Sequence, residues 1–394
     1  MSSQEEDEEF RGFWGEPLDE TPTKPKSLEE MSAEEMFGPT PPGGSLPGTE
    51  FTPDVRTTKP GAKTRREKPA LVRALDISQA LTTPPKPRDF ALPCLRIGTV
   101  GGLVSPGGAG KSMLALQLSL GVATCMDAVP GLRSRPGWEA LGIGGVTYAS
   151  FEDGEDDAAA RLHGIWTYLG RDATQFDLDM ARKNLTVHTL TGVAPPDLLD
   201  GAEWASWLDS ACAGRRLVVL DTLRTSHMED ENDSGAMSRL LATLQSAALR
   251  HGCAVLFLHH TSKAAAMSGQ GAAQQAARGS SVITDNARGQ FHLSGMTEQD
   301  AYGENGRLFD RSAPESVRSI SLDGEDRAGR PLRLRYARFG VSKSNYAAPW
   351  PDVWLRRNDG GVLSCADIGP PPRGSQGAAP AVPTKEKPRA ARKA

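Results

Sequence analysis

The chain has 394 residues, 38% of them apolar, enough to build a core over part of its length. Glycine (42) and proline (29) together make up about 18% of it against an average near 12%, and the excess gathers at both ends. The formal charge of −4 points to no class of partner, and the longest apolar runs fall far short of the roughly 18 residues a membrane helix needs.

Met1 to Phe10 is acidic where a secretory signal would be basic and then apolar. Five cysteines (Cys94, Cys125, Cys212, Cys253, Cys365) contain no C-x-x-C pair, which fits neither a disulfide framework nor a zinc site. A reducing cytoplasm, without membrane association, is the expected location.

In chain order, residues 5 to 35 are strongly acidic, residues 38 to 53 are rich in Pro and Gly, and a basic patch follows from Arg56. Residues 1–70 are therefore predicted to be a disordered extension. Leu71, Leu75, Ile77 and Leu81 are spaced for a short amphipathic helix that needs covering, so 71–89 is expected to be a docking segment at the start of a domain spanning 71–369. Residues 370–394, mixing Pro, Ala and Gly with basic residues, are predicted to form a flexible tail. Between Phe90 and Ala366, short β-rich runs (100–104, 145–149, 217–220 and 254–258) alternate with helical windows. That pattern predicts an α/β fold with a mostly parallel sheet covered by helices.

The first of these runs leads into Ser105-Pro-Gly-Gly-Ala-Gly-Lys-Ser112 and then a strong helix former beginning at Met113. Strand, glycine-rich loop and helix are the setting of a P-loop: the glycines let backbone N–H groups turn inward around phosphates, and the helix start adds positive potential. Pro106, Gly107, Gly108, Ala109, Gly110, Lys111, Ser112 and Met113 are the candidate nucleotide contacts. Lys111 would reach the β- and γ-phosphates, and the Ser112 hydroxyl would hold Mg²⁺. Asp221 closes a second apolar strand as a Walker B acid and joins Ser112 in the metal assignment. Glu152, at the end of a third, is the candidate base for the attacking water.

His260, closing a fourth strand after His259, reads as a sensor of the terminal phosphate. Residues 264–275, rich in small residues and bracketed by Lys263 and Arg278, suit a loop touching a phosphate backbone; an inert surface loop is the alternative. Ser281 to Asn286 reads as another strand, leading to Arg288.

These stretches together resemble the RepA-type hexameric replicative helicases of broad-host-range mobilisable plasmids, within the RecA-like ATPases. The match runs from about Leu75 to Leu363. It rests on Gly98 to Leu118, Leu220 to Arg224, Phe257 to His260, Arg278 to Ser281 and Arg338 to Tyr346, and it includes the serine at 105 where most P-loops begin with glycine. The resemblance implies a RecA-like domain in a homohexameric ring, ATP and Mg²⁺ at subunit interfaces, and single-stranded DNA in the channel unwound 5′ to 3′. It assigns catalytic roles to Lys111, Glu152, Asp221, His260 and Arg288, the last as an arginine finger reaching the neighbouring site. A plasmid primase or initiator protein is a candidate partner.

The acidic extension, an insertion around Tyr302 to Arg333 and the basic tail have no counterpart in that family. The insertion is expected to be an enlarged surface loop. Glu5 to Glu9 with Phe10, Phe13 and Trp14 could mimic single-stranded DNA, or be a solvated or partner-docking tail. Two other functional readings share the nucleotide residues: an ATPase that loads or remodels proteins on DNA without unwinding, and a nucleotide-gated scaffold. A pure scaffold would have no need of Glu152 and Arg288.

Overall fold

All four apolar runs are strands, and each continues past its apolar core into a polar residue at its carboxyl end. The computed structural model describes residues 74–139, 141–170, 173–192, 197–261, 281–302, 308–313, 319–323, 325 and 331–370. The acidic extension, Lys263, Arg278 and the basic tail lie outside the described residues. In chain order come helix α1 (Ile77–Thr82), the hairpin β1 (Phe90–Leu92) and β2 (Leu95–Arg96), β3 (Val100–Ser105), α2 (Lys111–Thr124) and β4 (Val146–Ser150). Next are α3 (Glu155–Leu169), α4 (Gln175–Asn184), β5 (Leu185–Thr189), α5 (Ala202–Cys212), β6 (Leu217–Asp221), α6 (Ser234–His251) and β7 (Ala254–His260). After the undescribed stretch 262–280 follow α7 (Ser281–Asn286), β8 (Gly289–Gly295), α8 (Glu298–Tyr302), β9 (Phe309–Asp310), β10 (Tyr336–Ser344), β11 (Val353–Arg357), β12 (Leu363–Ala366) and β13 (Ile368–Gly369).

Among the described residues, nine strands form one sheet in the order β12-β11-β10-β8-β3-β7-β6-β4-β5. Neighbours from β8 to β5 run parallel, and β10, β11 and β12 add an antiparallel meander beside β8. One strand, β7, separates β3 from β6. This is the mostly parallel sheet that the alternation of elements predicts.

Alternate residues of a strand face opposite sides, and the core divides accordingly. Val219 and Leu256 pack with Leu114, Leu118 and Val122 of α2, whereas Val218, Leu220 and Val255 pack with Leu240, Leu244 and Ala248 of α6. Each such side chain contributes about 1.5–3 kcal/mol by leaving water. Gly102 of β3 has no side chain because a Cβ there would lie 2.7 Å from the Phe257 ring of β7. Helix α6 starts at Asp233, whose carboxylate accepts from Gly235 N (2.7 Å) and Ala236 N (3.1 Å), and ends at Gly252 in the left-handed conformation. Helix α2 is buried along every residue but Ser112, so it carries no polar face.

Two expectations need correcting. Ser281 to Asn286 is helix α7, not a strand: Ile283 and Ala287, one helical turn apart, are both buried against α6, and that packing overrides the β preference of Val282, Ile283 and Thr284. The insertion is more than a surface loop. In its described part β9 pairs with β13 from outside it, Ile320 joins Met296, Ala301, Tyr336 and Ala366 in a small core, and Asp310 is fully buried under Arg356 and Tyr336. Of the expected segment 71–89, residues 77–82 form helix α1, Leu75, Ile77 and Leu81 are exposed, and Leu71 lies outside the described residues.

Candidate active site

Parallel strands that end together present their last residues along one edge of the sheet, where helix starts also converge. Registers pairing Ser105 with His260 and Ser150 with Asp221 build that edge here. The phosphate loop opens from β3 and returns into α2 through Gly108 and Gly110, both in the left-handed region (φ 75° and 100°) that side chains rarely adopt. Lys111 is buried at the first position of α2, where its Nζ lies 3.2 Å from His260 Nε2. Burial and the Lys111 charge depress the His260 pKa, which keeps the imidazole neutral and able to accept from Lys111.

Asp221 is 2% exposed. Its Oδ2 accepts a 2.5 Å hydrogen bond from Tyr148, while its Oδ1 makes no hydrogen bond among the described residues. Burial pushes this carboxyl above the usual carboxylate range, and the hydroxyls of Tyr148 and Ser112 together with the Lys111 charge work against that rise. Burial beside Asp221 in turn raises the Tyr148 phenol well above its ordinary value, so the phenol remains a donor. An orphaned carboxylate oxygen next to a serine hydroxyl fits the hydrated Mg²⁺ of a P-loop site. Among the described residues there is no group of three or more His, Cys, Asp or Glu that would hold a metal by protein ligands alone.

Glu152 stands exposed just past β4, and its Oε1 accepts a 2.8 Å hydrogen bond from the hydroxyl of the fully buried Thr222. Arg161 of α3 pairs with Asp153 beside it. Lys111, Ser112, Glu152, Asp221 and His260 are thus brought to one edge. Arg288 is not among them. It precedes β8, donates its backbone N–H to Val100 O, and so sits exposed at the start of β3, about 17 Å of extended strand from the phosphate-loop end.

Three contributors went unread in the sequence. Tyr148 and Thr222 act through cross-strand register, which no local motif announces, although a hydroxyl directly after a strand-end acid was a usable hint for Thr222. Arg357, from β11, donates to Gly108 O at 2.7 Å.

The family model described as an AAA domain matches residues 66–266, just over half of the chain. The chain belongs to the AAA domain family. The matched stretch of this AAA domain contains Lys111, Ser112, Tyr148, Glu152, Asp221, Thr222 and His260, so the domain is an ATP-binding, RecA-like ATPase. Arg288 and Arg357 lie beyond it. Among solved structures, the chain is similar to the RadB recombinase, with 12% identity, a TM-score of 0.40, and coverage of 68% of this chain and 91% of the other. A similarity of that extent speaks to neither substrate nor activity. Among the described residues, no helix of the AAA domain chain is long and apolar enough to cross a membrane.

Proposed function

We propose that the protein is an ATP-dependent replicative DNA helicase, acting as a homohexameric ring on single-stranded DNA with 5′ to 3′ polarity in plasmid or mobile-element replication. The observation that carries the reading is the separation of Arg288 from the rest of the site. An exposed arginine at the far end of β3 cannot serve its own phosphate loop, but it can serve the loop of an adjacent copy, which would tie hydrolysis to assembly of a ring. The choice of DNA rests on the resemblance to the RepA-type helicases as a whole. A primase or initiator is proposed as the partner on the same ground.

In this mechanism Ser112 and Asp221 would hold Mg²⁺, which would supply charge neutralisation to the phosphates. Glu152, fixed by Thr222, takes the proton of the attacking water. Lys111 exchanges its contact with His260 Nε2 for the terminal phosphate, leaving the neutral imidazole to report that phosphate's presence. The strand then offers a route outward. His259, adjacent to His260 but on the opposite face of the sheet, is buried 3.6 Å from the buried Glu231, on the segment between β6 and α6. That segment and the stretch after β7 are the proposed DNA-facing loops, with Lys263 and Arg278 in the second.

The test is ATP-dependent displacement of a labelled strand from forked duplexes carrying 5′ or 3′ overhangs, with Lys111→Ala and Arg288→Ala as controls. Displacement from the 5′ overhang alone, lost in both variants, is expected. DNA-stimulated hydrolysis without displacement would refute unwinding in favour of a loader or remodeller. Full turnover by Arg288→Ala would refute the shared site.

A further inference from the structure

Consecutive side chains of a strand point to opposite faces, and the last two of β11 are both arginines. Arg357 Nη2 donates to Gly108 O at 2.7 Å and lies 3.0 Å from where a Cβ on Gly110 would sit. A loop that gathers phosphate with inward N–H groups must turn carbonyls outward, and a guanidinium on one of them holds that peptide plane from behind. Arg356 reaches the other way. Its Nη1 donates to Asp310 Oδ2 at 2.6 Å and to Ser312 Oγ at 3.3 Å, and Asp310 also accepts from Tyr336 at 3.1 Å.

The Arg356 and Asp310 side chains are 11% and 0% exposed, so this is a desolvated pair with little freedom to slide. The same hairpin is fastened to α2 as well: the buried Gln117 donates to Leu363 O (2.8 Å) and accepts from Leu363 N (2.9 Å). Strand β11 therefore has one face tied to the insertion and the other to the phosphate loop.

We infer that Arg357 is a positioning residue for the phosphate loop, and that the insertion sets nucleotide affinity through the Asp310–Arg356 pair that fixes β11. This rests on residues 105–112 binding nucleotide, and it is independent of unwinding. The insertion is then a lever on ATP affinity, remote from the chemistry itself.

The experiment uses the full chain, with titration of a fluorescent ATP analogue beside steady-state hydrolysis. Arg357→Gln should raise both the Kd of the analogue and the KM for ATP about tenfold, the scale of one lost charge-assisted hydrogen bond, with kcat little changed. Arg357→Lys should recover part of the affinity, because an ammonium can still donate to Gly108 O. Asp310→Asn should weaken binding in the same way. The double variant Asp310→Asn/Arg357→Gln should be no weaker than Arg357→Gln, since both act through one strand.

Unchanged affinity in Arg357→Gln overturns the inference, as does a loss confined to kcat. Multiplying effects in the double variant would overturn the link to the insertion. If Asp310→Asn does not fold, the Arg357 variants still decide the positioning role. Failure of the unaltered chain to bind the analogue would overturn the nucleotide reading and the inference together. Tight binding by both the unaltered chain and Arg357→Gln overturns the inference alone.

Discussion

Replacing Tyr148 by phenylalanine removes a single oxygen from a ring that is 1% exposed, leaving the packing of β4 against α2 in place. What disappears is the 2.5 Å hydrogen bond to Asp221 Oδ2. A hydrogen bond to a charged acceptor contributes about 1.5–3 kcal/mol, and a buried carboxylate cannot recover it from water. Some of the loss is escaped by taking up a proton: burial already raises the Asp221 pKa, and without the phenol it rises further. The folded variant then binds a proton that the unfolded chain, with an ordinary carboxyl, does not. Its stability relative to the parent accordingly falls as pH rises through the Asp221 pKa.

Urea unfolding of the nucleotide-free chain should show Tyr148→Phe destabilised by about 2 kcal/mol at pH 8, and by clearly less at pH 5. The Mg²⁺ titration of ATP hydrolysis should shift to higher concentration, because a carboxyl that prefers its proton is a poorer partner for the hydrated ion. Equal stability of parent and variant at both pH values, with an unmoved Mg²⁺ midpoint, would refute the role of Tyr148 in holding the Asp221 pKa down.

Thr222→Val keeps the shape of a fully buried residue while removing the donor to Glu152. Steady-state kinetics should show kcat lowered about tenfold with KM for ATP nearly unchanged, and an unaltered kcat would mean that Glu152 needs no such support. His227 is 2% exposed, and neither ring nitrogen has a hydrogen-bond partner among the described residues. Burial and the nearby Arg224 charge depress its pKa, so the folded chain keeps it neutral while the unfolded chain protonates it near pH 6.5. Between that pH and its lower folded pKa this one group removes about 1.4 kcal/mol of stability per unit of acidification. Denaturant unfolding of His227→Leu at pH 7.5 and 5.5 should show that part of the slope gone, and an unchanged slope would mean that His227 takes up its proton in the folded chain.

The phosphate loop, Asp221, Glu152 and His260 were legible because each sits at the end of an apolar run, and parallel strands gather such ends without further instruction. Residues 281–286 were misread because three β-branched residues look alike in a strand and in a short buried helix; only the apolar surface of α6 decides. The insertion was read as a loop because what organises it, Arg356 on Asp310, joins side chains 46 positions apart. Tyr148 and Arg357 were invisible for a related reason. A phenol reaching Asp221 depends on the register of β4 with β6, and a guanidinium on Gly108 O depends on a hairpin 249 residues downstream.

The strand that carries the phosphate loop is also the one that waits longest for its partners. β3 pairs with β7 through Val100 and Val255 and with β8 through Gly101 and Gly289, partners that follow it by roughly 150 and 190 residues, a high contact order. At synthesis rates of about 5–20 residues per second, β3 leaves the ribosome on the order of ten seconds before its first partner strand, whereas α2 meets β4 within seconds. A nascent chain ending short of β7 would have no nucleotide pocket, however complete its glycine-rich loop. During that interval both edges of β3 stay unpaired.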